Sequence, residues 1–331
     1  MIIIARCPYR ISLLGGGSDL DWFVKGNDYG FCLGYSLSKY TYVVINELPS
    51  SSKRGILNYS SREEYTDNND IAHPLIKAAF EEIPINNLLE ISSFGFASRG
   101  SGLGGSSSFL NAILKGLCFL NKKDLSNDEI AFLASNIEIN KLNKPIGRQD
   151  HVLSASGNFS CAKFSEENKK VSKINLDKYK KEFLEKEAER LYLVPSFISR
   201  SADKVLDKFK NLPSAQDDLL EIRSIAERFI FLEDNRESVL EETFYDCVKN
   251  SWEIKRKMSG VMTGILNEQY DELKKIPYNW IRLLGAGSGG YFLISSKLNE
   301  KRTEEELLKN GMKDFFKASV SKSGAEIVHF S

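Results

Sequence analysis

The chain has 331 residues, 42% hydrophobic and 27% charged, and is long enough for two domains with cores of their own. Its 45 basic and 45 acidic side chains cancel, which removes the strongest electrostatic reason to expect nucleic acid or an anionic membrane as partner. Cys7, Cys32, Cys118, Cys161 and Cys247 lie scattered without paired spacing; that is poor material for a disulfide framework or a zinc cage, and they read as reduced structural thiols.

In chain order, the N-terminal run carries Arg6 and Arg10 among its apolar residues, unlike a signal peptide. Nowhere do the roughly 18 to 20 apolar residues of a spanning helix follow one another, and a cytoplasmic protein is expected. Ile2 to Ile4 and Tyr40 to Ile45 have the β-branched and aromatic content of strands. From Ser106 to Leu120, Phe109, Leu110, Ile113, Leu114, Leu117 and Cys118 recur at helical spacing, which predicts an amphipathic helix. A second helix should start at Ser126, where Ser126-Asn127-Asp128-Glu129 fits a capping box, with Ile130, Leu133, Ala134 and Ile137 as its apolar stripe.

Beyond about Glu166 the composition turns Lys- and Glu-rich, with helices expected over Leu176 to Arg190, Ser214 to Leu232 and Ser238 to Met258. A strand–turn–strand at Ile281 to Ser295, a helix near Glu304 to Phe316 and a short strand around Ile327 complete the reading. The expected fold class is α+β, in two domains over residues 1–175 and 176–331.

Three glycine clusters stand out: Gly15-Gly16-Gly17-Ser18-Asp19, Gly100-Ser101-Gly102-Leu103-Gly104-Gly105-Ser106-Ser107-Ser108, and Gly285-Ala286-Gly287-Ser288-Gly289-Gly290. Glycine permits positive φ and lets backbone N–H groups approach a ligand with no Cβ in the way. The middle cluster feeds directly into the amphipathic helix, and a helix N-terminus presents unpaired N–H groups and positive dipole to phosphate. No G-x-x-x-x-G-K-[ST] run occurs, nor HRD or DFG, so neither a Walker loop nor a protein kinase is indicated. Gly285, Gly287 and Gly290 match G-x-G-x-x-G, but Tyr291-Phe292-Leu293-Ile294 continues as a strand rather than opening a helix, which argues against a dinucleotide-binding dehydrogenase.

Taken in order, Pro8-Tyr9-Arg10-Ile11-Ser12-Leu13-Leu14-Gly15-Gly16-Gly17-Ser18-Asp19, Gly102-Leu103-Gly104-Gly105-Ser106-Ser107-Ser108 and Leu284-Gly285-Ala286-Gly287-Ser288-Gly289-Gly290-Tyr291-Phe292 resemble the three motifs of the GHMP kinases. These are named for galactokinase, homoserine kinase, mevalonate kinase and phosphomevalonate kinase. Within that family, GGGSD together with Ile146-Gly147-Arg148-Gln149-Asp150, Ser199-Arg200-Ser201 and Trp252-Glu253-Ile254-Lys255 is most similar to the bacterial D-glycero-D-manno-heptose 7-phosphate kinases. The resemblance implies a ribosomal protein S5-like N-terminal domain, an α+β C-terminal domain and an active site between them. One departure is Gly105, which stands where the family loop usually has its first serine.

The implied chemistry is phosphoryl transfer from ATP with Mg²⁺, which needs positioning and charge neutralisation more than covalent help. Gly100 to Ser108 would hold the nucleotide phosphates, and Ser106 and Glu138 the metal, which takes one or two protein ligands. By spacing alone Glu138 is either a solvated helix glutamate or one facing a cleft. The resemblance makes Asp150 the base on the acceptor hydroxyl, a role that suits a carboxylate within hydrogen-bond reach. It places Arg10 beside that base and the transferred group, and Asp19, with Gly17, Ser18, Gly287 and Ser288, at the sugar. For an acceptor that already carries phosphate, Arg148, Arg200 and Lys255 are the candidate contacts, Arg being suited to forked binding.

His73, His151 and His329 are too dispersed for a metal cluster and read as structural or surface residues. Phe94 and Phe96 read as adenine neighbours or as core. The expected partner is a small sugar or sugar phosphate, with the oligomeric state open between monomer and homodimer. A kinase of a free sugar such as galactose or fucose is the near alternative, and a silent sensor of the same fold the distant one.

Overall fold

The computed structural model describes residues 1–97, 100–165, 171–198, 202–258 and 260–331. Strand β1 (Ile2–Leu14), helix α1 (Asp21–Asn27), β2 (Tyr29–Glu47), β3 (Gly55–Asn58) and β4 (Arg62–Tyr65) open the chain. Next come α2 (Pro74–Glu82), β5 (Leu89–Gly95), α3 (Gly105–Leu120), α4 (Asn127–Asn136), α5 (Gln149–Ser156), β6 (Phe159–Ser165) and β7 (Val171–Ile174). Among the described residues these strands form one sheet in the order β1-β2-β5-β3-β4, with β6 on β2 and β7 on β6. The 19-residue β2 is long enough to pair with β5 along one half and β6 along the other.

The remaining elements are α6 (Lys178–Ala188), β8 (Leu191–Pro195), α7 (Ala202–Lys210), α8 (Ala215–Ile230), α9 (Glu237–Lys257), α10 (Gly264–Leu273), β9 (Tyr278–Leu283), β10 (Tyr291–Ser296), α11 (Glu300–Lys309), β11 (Phe316–Lys317) and β12 (Glu326–Phe330). A second, antiparallel sheet runs β11-β8-β10-β9. The last strand leaves it: β12 pairs with β1, so the C-terminal segment expected in a 176–331 domain completes the first sheet. The expected helix near Glu304 to Phe316 starts and stops earlier, at Glu300 and Lys309. Gly311, at φ 81°, follows its C-cap, and Phe316 lies in a strand.

Strand β1 serves two cores. Ile3 and Cys7 pack with Leu110, Leu114 and Leu153 beneath α3 and α5, whereas Tyr9, Ile11 and Leu13 pack with Phe229, Phe244, Trp280 and Leu293 of the second half. The residues are odd-numbered throughout, yet they join different cores. The register against β2 breaks between them, where the partner of Pro8 is Tyr40 and that of Tyr9 is Leu37, so that two residues of β2 bulge out of the ladder. Proline suits such a point because it has no N–H for the ladder. The even-numbered Arg10 and Ser12 lie on the wall of a cleft. All five cysteines are free and buried, as their spacing suggested. No helix among the described residues is long and apolar enough to cross a membrane.

Candidate active site

A cleft of about 790 Å³ runs between the two halves of the molecule. On one side stands the N-terminus of α3, a 16-residue helix whose N-cap, Gly104, has left-handed backbone geometry (φ 74°). No side chain caps this end, so its first N–H groups are available to an anion at the positive pole of the helix. Gly104 also lets Arg10 lie against the loop: a Cβ there would sit 3.0 Å from Arg10 Cγ. From the other half, Gly290 closes on the same loop, where a Cβ would stand 2.4 Å from the Ser101 carbonyl oxygen. The first, second and third glycine clusters thus meet at one place.

Helix α4 begins as its sequence predicted, with Ser126 and Glu129 forming a reciprocal capping box. It then runs into a π-helical turn, Ile137–Lys141. Such turns insert a residue into a helix and are frequent at functional sites. Glu138 sits on this turn, 0% exposed, and is neither solvated nor loosely placed. Ser106 donates to its Oε1 at 2.6 Å, Lys144 donates to the same oxygen at 2.5 Å, and His151 Nε2 lies 2.8 Å from Oε2. Burial by itself would raise the Glu138 carboxyl, but the His151 ring and the Lys144 ammonium outweigh it and hold the group at about 2.

Asp150 opens α5 and is gripped by Arg10 in a fork, Nε to Oδ1 at 2.7 Å and Nη2 to Oδ2 at 2.6 Å. The third guanidinium nitrogen, Nη1, donates to the Gly102 carbonyl at 2.5 Å, tying the pair to the phosphate loop. Arg10 is 4% exposed, while the Asp150 side chain keeps 28% of its surface, directed into the cleft it lines. Asp19 is sealed beside it. Its carboxylate accepts from Gln149 N at 2.9 Å, Gln149 Nε2 at 2.8 Å and Gly17 N at 3.1 Å. Burial pushes this carboxyl up to about 6; the Gln149 and Gly17 N–H groups pull it down and the Asp150 charge adds to the rise.

Several expected positions fall elsewhere. Ser18 is buried, its hydroxyl bonded to the Gly15 and Phe31 carbonyls, so it shapes the first glycine loop and does not face the sugar. Leu103 and Ser108 also turn inward: Leu103 O accepts from Arg10 N, and Ser108 Oγ donates to Cys7 O at 2.8 Å. Arg148 lies over the Phe132 ring at 5.7 Å, and the cleft is lined by its neighbours Gly147 and Gln149 in its place. Gly285 and Ala286 line the cleft where Gly287 and Ser288 were expected. Ser288 is tied to Gly260 and Val261, its N–H reaching the Val261 carbonyl at 2.8 Å. Arg200 lies outside the described residues. Lys255 lines the cleft and donates to the Gly285 carbonyl at 2.5 Å.

Lys144, Gln149 and His151 were missed as site residues. His151 follows Asp150 directly and stands 13 positions after Glu138, but only the fold brings α5 against the π turn. At the far end of the cleft Phe94, 60% exposed, stacks on Tyr42 with rings 5.4 Å apart and tilted by 15°, a platform for a flat ring. Phe96 packs edge-on against Tyr9 and Phe316.

Residues 72–158 match the family model described as GHMP kinases N terminal domain. Among curated proteins the chain is 23% identical over 311 residues to the D-glycero-alpha-D-manno-heptose 7-phosphate kinase of Campylobacter jejuni, covering 88% of each. Among solved structures it superposes with a TM-score of 0.71 on a D-glycero-D-manno-heptose 1-phosphate kinase from Bacteroides thetaiotaomicron, at 21% identity and with both chains fully covered. With Lactococcus lactis galactokinase complexed with galactose the TM-score is 0.69 at 14% identity, covering 98% of this chain and 95% of that one. The α+β fold expected from the motifs is the fold found.

Proposed function

We propose that this chain, whose residues 72–158 match the GHMP kinases N terminal domain and whose fold is shared with sugar kinases, is an ATP-dependent sugar kinase. The acceptor we propose is D-glycero-D-manno-heptose 7-phosphate, phosphorylated at its anomeric C1 hydroxyl to give the 1,7-bisphosphate. The observation that carries the reading is the convergence, on one cleft, of an uncapped helix N-terminus, the Ser106–Glu138 pair and the Arg10–Asp150 fork.

Each part has a chemical task. The N–H groups at the start of α3 bind and orient the donor phosphates. Asp150 presents a carboxylate to the cleft and takes the proton from the acceptor hydroxyl, while the Arg10 fork fixes its plane. Arg10, bonded also to the loop, places positive charge where the transferred group passes. Asp19 and Gly17 face the sugar, with Gln149 fixing both carboxylate oxygens of Asp19.

A magnesium ion fits the donor set on the other wall. A carboxylate held near pKa 2 and a serine hydroxyl 2.6 Å away are the hard oxygen ligands, few in number, that this ion takes beside phosphates. When bound it neutralises charge on the β- and γ-phosphates. His151 and Lys144 keep Glu138 ionised and oriented toward that position.

The test is ATP consumption with Mg²⁺ across heptose 7-phosphate, free mannoheptose, galactose, fucose, mannose and mevalonate, with Asp150→Ala as control. Turnover confined to heptose 7-phosphate supports the full reading. Turnover on a free sugar keeps the kinase and discards the phosphorylated acceptor, and turnover on none, with Mg·ATP bound, favours a sensor.

A further inference from the structure

Arg282 sits on β9, shortly before the third glycine cluster, and lines the cleft. It is 4% exposed. One guanidinium nitrogen donates to the Leu13 carbonyl at the root of the first glycine loop, and Nε has no hydrogen-bond partner among the described residues. Among the described residues no carboxylate comes within ion-pair distance of it. This differs sharply from Arg10, whose burial is matched by Asp150.

Burying a guanidinium without an anion is costly, and leaving one of its N–H groups unbonded adds to the cost. Burial together with the Arg10 charge lowers the pKa of this group to about 10, which still leaves it cationic at neutral pH. The local charge balance points the same way. Asp150, a carboxylate of the same cleft, is already committed to Arg10. Such a surplus of buried positive charge is what a dianionic ligand would complete, and arginine's planar fork matches phosphate oxygens.

We infer that Arg282 recognises a phosphate monoester already present on the acceptor, so that this end of the cleft selects sugar phosphates over free sugars. The inference rests on the sugar-kinase reading above and deepens it. Phosphate could come from the acceptor or from the donor. Arg282 reaches Leu13, where the acceptor-side loop begins, and the donor end has Lys144 and the N–H groups of α3 of its own. We therefore assign it to the acceptor.

The test uses the full chain with Arg282→Met and Arg282→Lys, the lysine keeping a donor for Leu13 and a positive charge. Binding of heptose 7-phosphate, free mannoheptose and Mg·ATP is measured by calorimetry, and kcat/KM on both acceptors by ATP consumption. Expected is a loss of about 10- to 100-fold in affinity and kcat/KM for heptose 7-phosphate in Arg282→Met, as for a charge-assisted pair. Free mannoheptose and Mg·ATP should change less than about 3-fold, and Arg282→Lys should lie between. Equal losses on both acceptors would make Arg282 a structural tie and overturn the inference. A parallel loss of Mg·ATP affinity would assign it to the donor and equally overturn it, as would a wild type that binds both acceptors alike. If the wild type turns over no acceptor, the kinase reading fails, yet the binding comparison still decides the role of Arg282.

Discussion

Glu138 and Asp19 are carboxylates sealed into the wall of one cleft, 0% and 2% exposed and held by His151 and Gln149 on either side of Asp150 in the chain, and their surroundings push them in opposite directions. Burial raises both. A histidine ring and an ammonium more than offset that rise and hold Glu138 at about 2; Asp19 is met by neutral N–H donors and a neighbouring aspartate, and rises to about 6. The lesson is that depth alone does not set the charge of a site: the sign of the nearest partners does. On the proposed function, the carboxylate assigned to the metal keeps its charge, and the one assigned to the sugar lies closer to holding a proton.

The largest expected effect comes from removing the one carboxylate that touches both ends through Arg10. Asp150→Ala should lower kcat by about 10² to 10⁴ while Mg·ATP affinity, read by calorimetry, is largely kept. Near-wild-type turnover would remove Asp150 from the mechanism. Next, Glu138→Ala leaves Lys144 and His151 beside an emptied carboxylate position, and about 3 kcal/mol of stability should be lost in urea unfolding. A change below about 1 kcal/mol would mean that the cluster does not compensate its own burial. Ser106→Ala should weaken Mg·ATP use about tenfold, the worth of one hydrogen bond to a charged group, and leave acceptor binding unchanged. The reverse pattern would count against Ser106 at the donor end.

The smallest effects sharpen the contrast through pH. The folded-state pKa of Glu138 is depressed, so its contribution to stability is present above the ordinary carboxylate range and is lost as pH falls toward about 2. Lys144→Met should raise that pKa and flatten the acid loss. For Asp19 the folded-state pKa is raised, so the folded chain binds more protons than the unfolded one, and stability falls as pH rises through about 4 to 6. The stability difference between Asp19→Asn and wild type should therefore shrink across that window, measured by unfolding at fixed pH values. A difference independent of pH would show that Asp19 titrates normally.

How much of this was legible beforehand follows from the range of the forces involved. Helix α3, the capping box of α4 and the strands around the third cluster were readable because periodicity and caps act over a few residues. The three glycine clusters named the places where backbone must come close. Ser18, Gly287 and Ser288 were misplaced because a motif gives the position of a loop, not the direction of each side chain. Arg148 was misplaced for the same reason, since its neighbours Gly147 and Gln149 face the cleft and it faces Phe132.

What the sequence determined by itself was local: which segments become helices and strands, and that glycine loops end at a helix N-terminus able to meet phosphate. The tertiary structure decided the rest, because ion pairs and burial depend on residues far apart in the chain. The Glu138–His151–Lys144 cluster needs α5 packed on a π turn, and the Arg10–Asp150 fork joins residues 140 positions apart. Arg282, an ordinary strand residue in the sequence, becomes a buried cation with no carboxylate partner among the described residues only when β9 reaches the end of β1. Charge in a protein takes its meaning from what is folded around it, and no spacing rule reaches that far.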